Sequence, residues 1–147
     1  MRLTRYTEYS LRVLIYLGQN NESRVTINQI SETYDISKNH LMKVVSNLTR
    51  LQFVVAQRGP GGGIKLNRLP EEISLDDVIR HTEKDLPLVD TPKPVESGEP
   101  TAESRLDEYL QQALLAYLAA LGRFSLADVL NPPVDTPRLL ELNEKAA

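Results

Sequence analysis

Cysteine is absent from the 147 residues. That removes disulfides, thiolate catalysis, cysteine-ligated zinc and thiolate-held iron–sulfur clusters. Histidine is scarce: His40 and His81 are the only two, and they fall on different predicted elements. With no nucleophile elbow, no His-Glu zinc helix and no paired carboxylates, no enzymatic constellation is assembled, and a non-enzyme is expected. Aromatic residues make up 5% of the chain and tryptophan is missing, so no aromatic-lined ligand pocket can be named. No apolar run approaches the roughly 20 residues that a membrane-spanning helix needs. The opening Met1-Arg2-Leu3-Thr4-Arg5-Tyr6 lacks the apolar stretch of a secretory signal, so a cytoplasmic location with no membrane association is expected.

What is present is unevenly distributed. The net charge is −3, yet residues 1–68 carry ten Lys/Arg against four Asp/Glu, a balance of +6. Residues 69–147 carry seven against sixteen, a balance of −9. A basic half suits a polyanion such as nucleic acid, and the acidic half serves some other purpose. Apolar residues at 41% and charged residues at 25% are ordinary for a globular protein.

The spacing of apolar residues predicts a first helix capped by Thr4, with Leu11, Val13, Leu14, Ile15 and Leu17 on it and Gly18 ending it. Thr26 opens a short helix over Ile27 to Tyr34. Asp35-Ile36-Ser37 is a tight turn, and Ser37 is suited to cap a helix over Lys38 to Leu51 that buries Leu41, Val44, Val45, Leu48 and Leu51. Two helices joined so briefly form a helix-turn-helix. Phe53-Val54-Val55-Ala56 and Ile64-Lys65-Leu66 read as strands about the turn Arg58-Gly59-Pro60-Gly61-Gly62-Gly63, which makes a hairpin wing. Ser74-Leu75-Asp76-Asp77 resembles a capping box and starts a helix reaching about Glu83. Residues 84–103, with Pro87, Pro92, Pro94, Pro100 and Gly98, read as a mobile loop. Ser104 to Gly122 is an amphipathic helix with Leu106, Leu110, Ala113, Leu114, Tyr117, Leu118 and Leu121 on one stripe. Ser125-Leu126-Ala127-Asp128 begins a last short helix, which Pro132-Pro133 breaks.

Three features carry function. A recognition helix inserts its N-terminal residues into the major groove, and the exposed positions there are Ser37, Lys38, Asn39, His40 and Lys43. Asparagine can pair bidentately with adenine, while lysine and serine suit guanine or phosphate. The wing's Arg58 is placed to enter a narrow minor groove, and glycines beside it let the backbone approach closely. A nucleotide-phosphate loop fits this stretch badly, because no Lys-Ser/Thr follows and a strand comes after the glycines. The long helix suits dimer formation, because paired heads gain affinity and palindrome selectivity. An intramolecular core helix is the other reading of that stripe, and the two can share it.

These residues together resemble a known family, the bacterial winged-helix regulators of the IscR and NsrR type, often called Rrf-two. The likeness spans roughly residues 1–130. It rests on Met1-Arg2-Leu3-Thr4, Ile36-Ser37-Lys38-Asn39-His40-Leu41 and Arg58-Gly59-Pro60-Gly61-Gly62-Gly63-Ile64, with Ser74-Leu75-Asp76-Asp77-Val78-Ile79 and Ser125-Leu126-Ala127-Asp128-Val129. Ser37-Lys38-Asn39-His40 followed by Lys43 resembles the nitric-oxide-responsive NsrR branch more than the cluster-assembly branch. The resemblance implies a homodimer with a long crossed helix, binding a palindromic promoter site and usually repressing. It also implies that Ser37 and Asn39 read DNA at the helix start and Arg58 in the minor groove.

One departure matters. Sensors of this family hold an iron–sulfur cluster with three cysteines in the loop before the dimer helix, and residues 90–104 here contain none. Thr91 and Ser104 fall near the flanking positions, but neither hydroxyl replaces a thiolate on iron. Glu8 stands where some relatives supply a carboxylate ligand, and without cysteines it is expected to be a surface or dimer-contact acid. Natural loss and deliberate removal both account for the missing cysteines, and the prolines and acids of the loop favour natural divergence.

The expectation is therefore a mainly α protein, a winged helix-turn-helix domain with a two-stranded β wing plus a long C-terminal dimerisation helix. Residues 1–83 form the DNA-binding head, 84–103 the loop, 104–130 the dimerisation helix and short cap helix, and 131–147 a tail. Double-stranded DNA and a second copy of the chain are the expected partners, with no cofactor and no metal. Arg2, Arg5, Lys38, Lys43, Arg50 and Lys65 are expected to meet phosphates, and Ser37, Asn39, His40 and Arg58 bases, with Gly59, Pro60 and Gly61 at the wing tip. Leu106, Leu110, Leu114, Tyr117, Leu118 and Leu121 are the expected dimer contacts. Two rivals stand: a winged-helix interaction module without DNA binding, and a DNA-binding regulator that senses a small ligand.

Overall fold

The computed structural model describes residues 2–84, 86 and 101–131. Its elements in chain order are α1 (Arg5–Gln19), α2 (Ile27–Tyr34), α3 (Lys38–Arg50), β1 (Val54–Gln57), β2 (Gly63–Leu66), a 3-10 turn (Pro70–Glu72), α4 (Leu75–Thr82), α5 (Ala102–Leu121) and α6 (Leu126–Leu130). This is a winged helix-turn-helix followed by a long helix.

Each helix of the head is set by local chemistry. Thr4 caps α1 by accepting from the Thr7 amide, and Ser10, Val13, Leu14 and Leu17 bury one face at helical spacing. Thr26 and Gln29 close a reciprocal capping box on α2, and Asp35 ends that helix in the left-handed region at φ 52°. Ser37 caps α3, whose Leu41, Val44, Val45 and Leu48 point inward. The expected stop at Gly18 is displaced: α1 runs through it to Gln19. Packing explains the glycine, because a Cβ there would lie 2.5 Å from Leu130 Cδ1 of α6.

β1 and β2 pair antiparallel, with Val54 opposite Leu66 and Gln57 opposite Gly63. Val25 adds a third, single-residue partner, exchanging backbone hydrogen bonds of 2.9 and 2.8 Å with Ile64. The wing is thus stitched to the segment before α2.

Two expectations at helix starts are corrected. Ser74 stands at the N-cap of α4 but makes no side-chain cap bond; its Oγ donates to Asp76 Oδ1 at 2.6 Å. Helix α5 begins at Ala102 rather than Ser104, because Thr101 accepts from the Ser104 amide at 3.2 Å and caps it two residues earlier. Most of the loop expected over 84–103, and the tail beyond Asn131, lie outside the described residues.

One core unites α1, α2, α3, the wing and α6 around Leu14, Leu17, Ile30, Leu41, Leu48, Phe53 and Leu126. Each such fully buried side chain contributes about 1.5–3 kcal/mol. Helix α6 is pinned there by the Leu126 amide donating to Ile73 O at 2.8 Å, so it packs with the head rather than with α5. A second, smaller core joins Ile79 of α4 to Leu114 and Leu118 of α5, with Leu3, Leu86, Tyr117 and Leu121 at its margin. No helix of the described residues is long and apolar enough to cross a membrane.

Candidate nucleic-acid interface

Helix α3 separates its two faces cleanly. Leu41, Val44, Val45 and Leu48 are buried, while Lys38, Asn39, His40, Lys43, Ser46 and Arg50 are exposed. Ser37 Oγ accepts from the His40 amide at 3.4 Å, which leaves its O–H free to donate outward.

Two grooves share this helix. Asn39, Met42, Lys43, Ser46, Asn47 and Arg50 line an open one of about 610 Å³. Arg5, Tyr6, Tyr9, His40, Lys43 and Val44 line the other, of about 340 Å³, and bring α1 against the reading edge. The His40 ring lies 6.1 Å from that of Tyr9, centroid to centroid. Arg50 Nη2 donates to Asn47 Oδ1 at 2.6 Å, which holds the guanidinium along the helix. Burial pushes the Tyr6 phenol above its ordinary pKa, against the opposing influence of Asn47 and Arg50.

The structure therefore brings Arg5, Asn39, His40, Lys43 and Arg50 onto one surface. Arg2, Arg58 and Lys65 line neither of these two grooves. Arg58, Gly59, Pro60 and Gly61 form an exposed hairpin tip, and Lys65 is exposed on β2. Gly59 and Gly61 take φ of 92° and 71°, a region costly for residues with a side chain, and the Gly62 amide closes the turn on Gly59 O at 2.9 Å. A groove of about 440 Å³ between Thr26, Asn28, Val45, Gly59 and Gly62 separates this tip from the helix-turn-helix. Met42, Ser46 and Asn47 line the α3 surface without having been expected there. Steps of three and four from Asn39 and Lys43 lead straight to them, so helical periodicity carried the signal.

The expected dimer contacts divide. Leu114 and Leu118, 6% and 2% exposed, are committed to the chain's own core, whereas Leu106 is 57% exposed and Leu110 half-buried. Tyr109, 61% exposed, and Leu115 extend the apolar surface of α5. Glu8 is exposed and pairs with Arg12 Nη2 at 2.6 Å.

Comparison with known proteins gives a consistent result. The Rrf2 family model, described as an iron-dependent transcriptional regulator, matches residues 3–132. The HTH-type transcriptional regulator NsrR of Bacillus subtilis is 45% identical over 98% of this chain and 100% of its own length. Among solved structures, oxidized CymR of Staphylococcus aureus aligns with a TM-score of 0.69 at 24% identity, covering 92% of this chain and 100% of that one. IscR of T. potens aligns at a TM-score of 0.69 and 20% identity over 97% and 96%. These two share the fold.

The iron named in the family description meets no suitable donor set here. The chain has no cysteine, and the described residues hold no group of three or more His, Asp or Glu able to grip a metal ion. The carboxylate of Glu8 is already engaged by Arg12. A thiolate-held cluster does not fit these residues. The sequence relatives are transcriptional regulators and not enzymes. With its wing, its polar-faced α3 and a family match across most of its length, the chain belongs to the Rrf2 family of transcriptional regulators.

Proposed function

We propose that the protein binds double-stranded DNA as a homodimer at a palindromic promoter site and represses transcription from it. In this reading residues 1–83 are the DNA-binding head and α5 the dimer element. Asn39, His40 and Ser37 meet base edges in the major groove, and Arg58 enters the minor groove from the wing. Arg2, Arg5, Lys38, Lys43, Arg50 and Lys65 meet phosphates, and Gly59, Pro60 and Gly61 allow close approach of the wing tip.

The observation that carries the reading is the continuous exposed face Asn39–Lys43–Arg50 of α3 beside Arg5, backed by a fully buried opposite face. A solvated helix end would not need a surface lined by three cations and two amides with no carboxylate among the described lining residues. The basic N-terminal half supports it further, as do relatives that bear the name HTH-type transcriptional regulator.

The test is fluorescence anisotropy of a labelled duplex titrated with the full chain at several salt concentrations. Log affinity is expected to fall linearly with log salt, by about 0.9 per phosphate neutralised. Failure to bind any duplex at low ionic strength would overturn the reading.

A further inference from the structure

A cavity of about 510 Å³ lies where the start of α1, the last turn of α3 and the end of α4 meet. Thr4, Tyr6, Asn47, Arg50, His81 and Lys84 line it, and among the described residues no carboxylate does. Two described acids bond to residues at its edge. Glu83 Oε1 accepts from the Thr4 amide at 2.7 Å and from Thr4 Oγ1 at 3.1 Å, so it caps α1. Asp77 faces His81 Nδ1 at 3.1 Å and Arg68 Nη1 at 3.5 Å. Among the described residues neither Arg50 nor Lys84 has an ion-pair partner.

A guanidinium and an ammonium in one concave site, without an ion-pair partner among the described residues and with an amide and a phenol beside them, match a small oxyanion. The volume falls in the range of small-ligand sites. Arg50 and Asn47 also line the reading-side groove of α3, so one side chain serves both surfaces. We propose that this cavity is an effector site for a small oxyanion, a phosphate ester or carboxylate, held by Arg50 and Lys84. Occupancy draws the Arg50 guanidinium off the reading face and weakens duplex binding. The consequence for DNA rests on the function proposed above; the anion site itself does not.

Calorimetry of the full chain, at matched ionic strength in chloride, tests the site with inorganic phosphate and with succinate as separate probes. Saturable binding of one anion per chain is expected, and whichever probe binds assigns the ligand class. The signal should vanish in Lys84→Gln, return in Lys84→Arg and persist in Lys43→Gln, which lies on the reading face alone. In parallel, the binding probe is expected to weaken affinity for a random-sequence duplex about 5- to 150-fold. Lys84→Gln should bind that duplex like the parent and ignore the anion. No saturable signal from either probe overturns the site, as does binding that survives Lys84→Gln but is lost in Lys43→Gln. If the duplex responds to salt yet not to the bound anion, the coupling through Arg50 is wrong. If the anion binds as stated while the duplex is ignored at low salt, the site stands and the DNA reading falls.

Discussion

Ser37 serves two roles with one oxygen. Its lone pair accepts from the His40 amide and starts α3, which leaves its proton free to donate. Alanine there removes the cap, which costs about 0.5–2 kcal/mol of stability, so a loss of DNA binding in that variant would be ambiguous. Ser37→Asp resolves the ambiguity. Aspartate caps as well as serine, so the melting temperature should hold, but its charge faces the duplex and affinity should fall about tenfold or more. Thermal melting beside duplex anisotropy separates the two effects. Arg58 and Lys43 divide differently. Arg58→Ala is expected to cost about 1–3 kcal/mol at one base step and relax specificity there, as follows from the minor-groove role proposed for it. Lys43→Ala should weaken all sequences alike and lower the salt slope by about 1. Binding selection against a randomised duplex pool reads both outcomes.

Asp76 supplies a pH prediction at the same scale. The Ser74 hydroxyl holds its carboxyl below the usual value of 3.8, and with help from Arg80 it outweighs the opposing effect of burial. The folded chain therefore binds this proton more weakly than the unfolded chain does. Its stabilising contribution is complete above 3.8 and fades as pH falls through the lower folded value. Asp76→Asn should melt below the parent at neutral pH, and the gap should close as pH falls below 3.8, as followed by circular dichroism. A gap that stays constant would contradict the assignment.

At the scale of elements, α5 faces two ways. Leu118→Ala removes a side chain packed on Ile79 and should cost about 2–5 kcal/mol, seen as a lowered denaturant midpoint. The sequence stripe from Leu106 to Leu121 could not apportion these roles, since periodicity reports an apolar face without saying what covers it. Only the position of α4, set by the long-range contact of Ile79, assigns Leu114 and Leu118 to the chain's own core. Where signals are local, the sequence was more legible. The Thr26 cap, the Asp35-Ile36-Ser37 turn and the glycine hairpin each follow from short-range chemistry and stand where expected. Gly18 misled because its small size answers Leu130, more than 100 residues away, and not the end of its own helix. Ser74 stands at the N-cap where expected, but its hydroxyl donates to Asp76, two residues on, and makes no side-chain cap bond. The cavity at Arg50 and Lys84 was invisible for the same reason as Gly18, since it forms only when three separated helices meet.

At the scale of the whole molecule, the question is how many heads engage one duplex. The second core ties α5 to α4, and α4 to the head, so a partner held through the exposed end of α5 would carry its own head at a set spacing. Two heads neutralise twice as many phosphates as one, and the salt slope counts them. Leu106 and Tyr109 are exposed and belong to neither core, so charge placed on them should leave the head folded. The double variant Leu106→Glu, Tyr109→Glu should therefore sediment as a monomer with an unchanged melting temperature. Its log–log salt slope should be close to half that of the parent on the same duplex. A monomer that keeps the full slope would mean that one head makes all the phosphate contacts, and that α5 serves some purpose other than pairing heads on DNA.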